Sequence, residues 1–197
     1  SIPQVLSEFL ERYPKSPFRE SIELLLVDSY MSSKNYKEAL LLLESNMRNA
    51  LKPSYQKVAF FRALELYNSG DYSEAQPLFK KAITIGVDPV ITARAAYWNA
   101  EIEFLNLNFE DALQYFLTFK NSSAASHSPE QNHLNYNLGY TYFKLKQYPK
   151  AITAFQSYVS NSDENKSYIN DAFLRMADAY YVSKLYNKAI DAYAKVI

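Results

Sequence analysis

His127, Glu130 and His133 are the residues whose types and spacing come nearest to reactive chemistry in this 197-residue sequence. Two imidazoles and a carboxylate spaced in this way could converge on one divalent cation. His127, however, falls in the polar run Asn121-Ser122-Ser123-Ala124-Ala125-Ser126-His127-Ser128, and His133 falls on the exposed first turn of a helix, so no metal is expected. The carboxylate pairs Glu101/Glu103 and Asp163/Glu164 could serve as acid and base. They read better as groove, surface or cap residues. Isolated glycines at 70, 86 and 139 exclude a Gly-rich phosphate loop. The absence of cysteine excludes disulfides, thiolate zinc sites and a thiol nucleophile, and no nucleophile-elbow pattern surrounds a serine. The expectation is a chain that is not an enzyme and carries no cofactor.

Charge narrows the partners. Lys+Arg and Asp+Glu number 21 each, so the net charge is +0 and no overall field draws nucleic acid. No apolar run approaches the roughly 18 residues that a membrane-spanning helix needs. The 18 Tyr and 12 Phe against 3 Gly suit closely packed helices.

The elements that must position these side chains repeat. An aromatic followed three residues later by Ala recurs as Tyr36/Ala39, Tyr72/Ala75, Phe109/Ala112, Tyr148/Ala151 and Tyr186/Ala189, with Ala-to-Ala steps of 36, 37, 39 and 38. Four residues after each Ala, on the same helical face, stands Leu43, Phe79, Phe116, Phe155 or Tyr193. A small residue beside a large one lets a second helix approach and fills the gap one turn away. Upstream of each pair lies another apolar segment of helical length. Segments such as Tyr136-Leu138-Tyr140-Tyr142-Phe143 are apolar on more than one side and need more than one neighbour, which stacked hairpins provide.

Turn and cap residues place helices near 4–13, 18–33, 36–49, 53–69, 72–85, 89–107, 109–121, 129–145, 148–161, 165–184 and 186–197. Asp88-Pro89 and Ser128-Pro129 put a cap before a first-turn proline, and Gln131 offers Ser128 a capping box. Gly70-Asp71 marks a helix end and the next beginning. Pro77 falls within a helix, where it should cause a bend or a late start. The polar run 121–128 is expected to be a longer mobile loop.

The unit Leu138-Gly139, Tyr142, Tyr148, Ala151, Phe155 resembles the tetratricopeptide repeat. Ala63, Ala100 and Ala177 replace its Gly, Val27 does so in the first unit, and Glu103 takes an aromatic position in the third. The steps exceed the repeat's usual length of about 34 residues, and its closing Pro is absent. The resemblance implies an all-α, right-handed α-solenoid of stacked helical hairpins. It would be a single domain over 1–197, with a half repeat at 1–16 and five repeats starting near 18, 53, 89, 129 and 165. It further implies a protein-protein interaction scaffold whose first helices line a concave groove for a peptide or protein. Carried over position by position, the groove comprises Phe60, Tyr67, Arg94, Tyr97, Glu101, Phe104, His133, Tyr136, Tyr140, Phe143, Lys144, Asp178 and Tyr181. The aromatic strip within that set also reads as packing between helices, which would make the chain a structural spacer or assembly segment with an inert groove. Leu24, Phe60, Tyr97, Tyr136 and Leu174 stand where relatives that clamp acidic chaperone tails carry Asn, so capture of such tails is not expected.

Tyr13-Pro14-Lys15-Ser16 after Phe9-Leu10 resembles a junction of the family's bacterial envelope branch, that of the Tol-Pal accessory protein and outer-membrane assembly lipoproteins, which implies a periplasmic or outer-membrane-associated location. The ends read as cuts through a longer protein. Val5, Leu6, Phe9 and Leu10 at one end, and Ile190, Tyr193, Ala194 and Ile197 at the other, are expected to mediate self-association.

Overall fold

The computed structural model describes residues 2–45, 51–161 and 166–196. Asp163, Glu164, Asn165, Ile197 and the expected end of the helix at 46–49 lie outside them. Among the described residues every regular element is helical: α1 (Ile2–Arg12), α2 (Arg19–Ser32), α3 (Tyr36–Ser45), α4 (Lys52–Asn68), α5 (Tyr72–Ile85), α6 (Pro89–Leu105), α7 (Phe109–Lys120), α8 (Gln131–Lys144), α9 (Tyr148–Asn161), α10 (Lys166–Val182) and α11 (Tyr186–Tyr193). The chain divides into two compact units, Ser1–Trp98 and Asn99–Ile197, with the division inside α6.

In the first unit α1 packs on α2, α2 on α3, α3 on α4 and α4 on α5. The small-then-large pairs face inward: Ala39 with Leu43, and Ala75 with Phe79, are buried. Val27 and Ala63, at the small position of the facing helices, are buried as well. Gln56 ties this packing to the next helix start. Fully buried, its side-chain amide donates to the Ala82 carbonyl (3.0 Å), the Asp88 carbonyl (3.2 Å) and the Thr92 hydroxyl (2.8 Å), while its Oε1 accepts the Asp88 N–H (2.6 Å). Asp88 caps α6 as its sequence position implies, its Oδ1 accepting the N–H groups of Val90 (2.8 Å) and Ile91 (3.2 Å).

In the second unit α7 packs on α8, α8 on α9, α9 on α10 and α10 on α11. Its core gathers Ala151, Ile152, Phe155, Tyr158, Ala172, Met176 and Ala179. The inward pairing continues with Ala112/Phe116 and Ala151/Phe155. It changes in α11, where Ala189 is buried but Tyr193 is exposed. Val5 and Ile190, two of the apolar residues expected to mediate association, are also exposed, whereas Leu10 is buried.

All five hairpins turn in the same way. The residue two positions before the repeat's aromatic has positive φ: Lys34 (59°), Gly70 (84°), Leu107 (65°), Lys146 (58°) and Lys184 (60°). Each turn closes with two backbone bonds, as where Gly70 N–H reaches the Tyr67 carbonyl (3.0 Å) and Asp71 N–H the Leu66 carbonyl (2.9 Å). This pairing satisfies the last carbonyls of the first helix and reverses the chain in three residues.

Two sequence expectations are corrected, and a third is narrowed. Ser128 does not cap α8: Glu130 holds the cap position without a side-chain bond, and Gln131 Nε2 donates to the Ala125 carbonyl (3.2 Å) in place of a capping box. The run 121–128 is not a loose loop. It winds through a short 3-10 turn at Ser123–Ala125, buries Ala125, and passes backbone bonds from Ala125 to Ser122 (3.2 Å) and from Ser128 to Ala125 (3.0 Å). Small side chains allow that close winding. Finally, α5 begins at Tyr72 with Pro77 inside it, so there is no late start. Pro77 has no N–H for the Ser73 carbonyl, and the turns on either side hold the helix through that gap.

Candidate partner-binding surface

The expected groove residues separate by burial. In the first unit Phe60 is fully buried, lying edge-on to Phe79 (6.1 Å) under the Arg94 guanidinium (5.0 Å), and Tyr97 is buried against Trp98 (5.4 Å). These two are packing residues and offer no surface, which corrects their placement in the groove. Tyr67 is half-buried between Tyr72 (5.1 Å) and Trp98 (4.9 Å).

In the second unit α8, α10 and α11 assemble a polar chain on one face. Tyr136 and Tyr140 are one helical turn apart and both donate their hydroxyls to Asp171 Oδ2, Tyr136 at 2.7 Å. Arg175, one turn after Asp171, donates from Nε to the Tyr140 oxygen (3.2 Å), lies 3.6 Å from Asp171 Oδ1, and donates from Nη1 to Asp178 (2.8 Å). Asp178 also accepts the Tyr193 hydroxyl (2.7 Å). The i, i+3 and i, i+4 spacings of Asp171, Arg175 and Asp178 put them on one stripe of α10. The tyrosine rings form the apolar side of the stripe: Tyr136 packs on Tyr140 (5.1 Å), Tyr158 (5.2 Å) and Tyr168 (5.3 Å).

This environment holds the phenols in their protonated form. Burial pushes the Tyr136 pKa well above its ordinary value, and donation to Asp171 adds to the shift. Burial likewise raises Tyr140, reinforced by Asp171 and opposed by Tyr136 and Arg175. Tyr193 is raised chiefly by its bond to Asp178. For Arg175 burial works against the charge, but Tyr140, Asp171 and Asp178 outweigh it and the pKa is raised. The arrangement fixes ring orientation and holds charge without offering a group poised to give up a proton near neutral pH.

Beside the stripe lies a cleft of about 260 Å³ lined by Glu101, Phe104, Leu105, Phe116, Tyr136, Asn137 and Tyr140. Asn137 Nδ2 donates to Glu101 and so fixes the carboxylate at the cleft. Glu103 takes a separate place: buried, it accepts the Asn108 amide (2.9 Å). Residues two apart on a helix do not face one another, so Glu101 and Glu103 are no acid-base pair.

The other expected residues lie apart from the cleft lining. His133 rests on Tyr168 (5.5 Å) and Tyr158 (6.5 Å), Phe143 on Tyr148 (5.5 Å), and Tyr181 on Tyr186 (5.6 Å); Lys144 is exposed. His127 Nδ1 lies 3.0 Å from the Ser126 hydroxyl, and Glu130 is buried. Among the described residues no group of three or more His, Cys, Asp or Glu could hold a metal ion, and no helix is long and apolar enough to cross a membrane. Arg175 and Asn137 were not among the expected site residues. Spacing from Asp171 and Asp178 could have pointed to Arg175; nothing in the sequence pairs Asn137 with Glu101.

Tetratricopeptide repeat models match residues 62–126, 134–164 and 171–197, which together make up more than half of the chain. The chain belongs to the tetratricopeptide repeat family. BtubC from P. vanneervenii is similar in structure, with a TM-score of 0.66 at 14% identity, covering 99% of this chain and 86% of that one. MamA from Desulfovibrio magneticus RS-1 has a TM-score of 0.61 at 19% identity, covering 89% and 92%. The nearly identical tetratricopeptide-like repeats of a putative kinesin light chain from Podosopora anserina have a TM-score of 0.57 at 16% identity, covering 92% and 95%. At these identities the likeness shows the fold, which is all-α and of the α-solenoid class. A search of curated protein sequences returns no match. The tetratricopeptide fold is in general that of a protein-protein interaction scaffold, and its family is generally non-catalytic.

Proposed function

We propose that this tetratricopeptide chain is a non-enzymatic scaffold that binds a peptide or protein segment on the first-helix face of its second unit. The observation that carries the reading is the cleft beside the Tyr136–Tyr140–Asp171–Arg175–Asp178 stripe. A surface whose polar groups are already fixed by one another costs little ordering on binding, and aromatic walls supply contact area. Leu105, half exposed at 50% in the cleft lining, is an apolar side chain of the kind that a partner would cover.

The test is capture from a lysate of the native organism by the chain and by a Leu105→Glu, Phe104→Ser variant, with melting temperatures measured on both. Proteins retained by the first and lost from a folded variant are expected. An identical set retained by both would favour the inert spacer. The envelope location implied by Tyr13-Pro14-Lys15-Ser16 belongs to the same proposal, and fractionation of native cells tests it.

A further inference from the structure

The charge at one position of the second helices reverses along the chain. The residue just before the repeat's Ala is acidic in the first three units, Glu38, Glu74 and Asp111, and basic in the last two, Lys150 and Lys188. Both lysines lie over a tyrosine of the preceding helix, Lys150 over Tyr142 (5.5 Å) and Lys188 over Tyr180 (5.9 Å). An aromatic face holds a cation in position without neutralising it.

Each of these lysines borders a cleft. One, of about 310 Å³, has Lys120, Leu138, Tyr142, Lys150 and Ala154 in its lining, from α7, α8 and α9. The other, of about 660 Å³, has Met176, Tyr180, Lys188, Ala192 and Lys195, from α10, α11 and the turn after α11, with Gln156 and Val159 of α9. Leu138 and Met176, Tyr142 and Tyr180, Lys150 and Lys188, and Ala154 and Ala192 are all 38 residues apart. The two clefts are therefore the same place in successive repeats, and α9 contributes to both. No carboxylate lines the first; in the second, Asp191 stands between Lys188 and Lys195 and offsets one of their charges. Lys150 donates to the neutral Gln147 Oε1 (2.9 Å), and Lys195 lies over the Phe173 ring (5.4 Å). Among the described residues none of the four lysines forms an ion pair with a carboxylate. Four cations against one carboxylate, in two tandem clefts with apolar walls, complement an acidic chain. A helix is about 10–12 Å across with its side chains, and ten extended residues reach about 33 Å, so one segment can occupy both clefts.

We propose that the second-helix side of the second unit binds an extended acidic segment of a partner protein, its carboxylates meeting Lys120 and Lys150 in one cleft and Lys188 and Lys195 in the next. This surface is separate from the first-helix cleft beside Tyr136 and Tyr140 and stands whether or not that cleft is occupied.

Fluorescence polarization on the purified chain tests it, with labelled ten-residue probes of alternating glutamate and serine, lysine and serine, or alanine and serine. The glutamate probe is expected to bind at least about tenfold more tightly than either other probe, and added salt to weaken it. The Lys150→Gln, Lys188→Gln double variant should lose about tenfold of that affinity. A Lys37→Gln, Lys57→Gln control removes the same charge from the first unit and should keep it. All four positions are exposed, so folding is spared. Leu105→Ser, in the first-helix cleft, should also leave glutamate-probe binding unchanged. Equal loss in the two lysine double variants would overturn the proposal in favour of unspecific attraction. Release by Leu105→Ser but not by Lys150→Gln, Lys188→Gln would overturn it while leaving the first-helix reading in place. An oligothymidylate probe of ten nucleotides that binds more tightly than the glutamate probe, and is lost with the same two lysines, would overturn the protein partner in favour of nucleic acid.

Discussion

Gly139 and Phe155 share one volume: a Cβ built on Gly139 would lie 2.6 Å from the Phe155 ring. The ring is fully buried and is held edge-on by Tyr140 (5.5 Å) and Tyr136 (6.1 Å). Other units carry Ala at the same repeat position, at Ala63, Ala100 and Ala177. In this unit the aromatic has moved into the vacant space. Gly139→Ala would gain about 1 kcal/mol of helix propensity and lose about 1–3 kcal/mol to overpacking. The expected net result is a loss of stability, measured as a lower urea midpoint. A higher midpoint would show that Phe155 can retreat.

Gln56 makes four hydrogen bonds from a fully buried site. The Ala82 and Asp88 carbonyls have other donors in Gly86 and Thr92, but replacement by Leu orphans the Asp88 N–H at the start of α6. Gln56→Leu should therefore cost about 1–3 kcal/mol. Hydrogen exchange at Asp88 to Thr92 should quicken more than exchange within α8. Equal loss of protection throughout would point to general destabilisation in place of a failed junction.

Leu107 occupies the left-handed region at φ 65° with a side chain that is 72% exposed. Only conformation is at stake there. Leu107→Gly should stabilise by up to about 1 kcal/mol, because the strain that it relieves exceeds the added freedom of the unfolded chain. The converse holds at Gly70, where no heavy atom lies within 4 Å of an added Cβ but φ is 84°. Gly70→Ala should lower the melting temperature despite the open space. A rise would mean that the turn can change its conformation.

Alkaline pH should weaken the second unit through its tyrosines. Tyr136, Tyr140 and Tyr193 have pKa values raised by folding, so they keep protons that the unfolded chain releases above about pH 10. Stability from this source is fully present below the unfolded pKa and declines as pH rises through the folded values. The urea midpoint should be flat between about pH 7 and 9 and fall above about pH 10. The Tyr140→Phe, Tyr136→Phe double variant should show a shallower fall. A wild-type midpoint that is constant to about pH 11 would contradict the shift.

The hairpins were legible because each rests on local chemistry. Aromatic-x-x-Ala and a large residue one turn later recur at one face of a helix, and Asp88-Pro89 or Gly70-Asp71 punctuate the chain through their own backbone preferences. Where the local signal was ambiguous, the reading failed: Ser128-Pro129-Glu130-Gln131 has the composition of a capping box, but close winding of the preceding turn satisfies Gln131 elsewhere. The left-handed turns were seen only at Gly70, because Lys34, Leu107, Lys146 and Lys184 reach the same conformation under the closing bonds of the hairpin.

The candidate site was legible as a face and not as a set of contacts. Position in the repeat places Phe60, Tyr97, Tyr136 and Tyr140 on equivalent helices, yet Phe60 and Tyr97 are buried while Tyr136 and Tyr140 are half-buried and tethered to Asp171. By itself the sequence determined the helices, their pairing and the inward faces, all governed by interactions within about four residues or by a repeated pattern. Tertiary structure alone decided that Asn137 would hold Glu101, that Phe155 would claim the space at Gly139, and that two tyrosines would share one aspartate. Those pairs lie 16 to 36 residues apart in the chain, and which side chains meet across helices depends on how the helices pack, which no local spacing encodes.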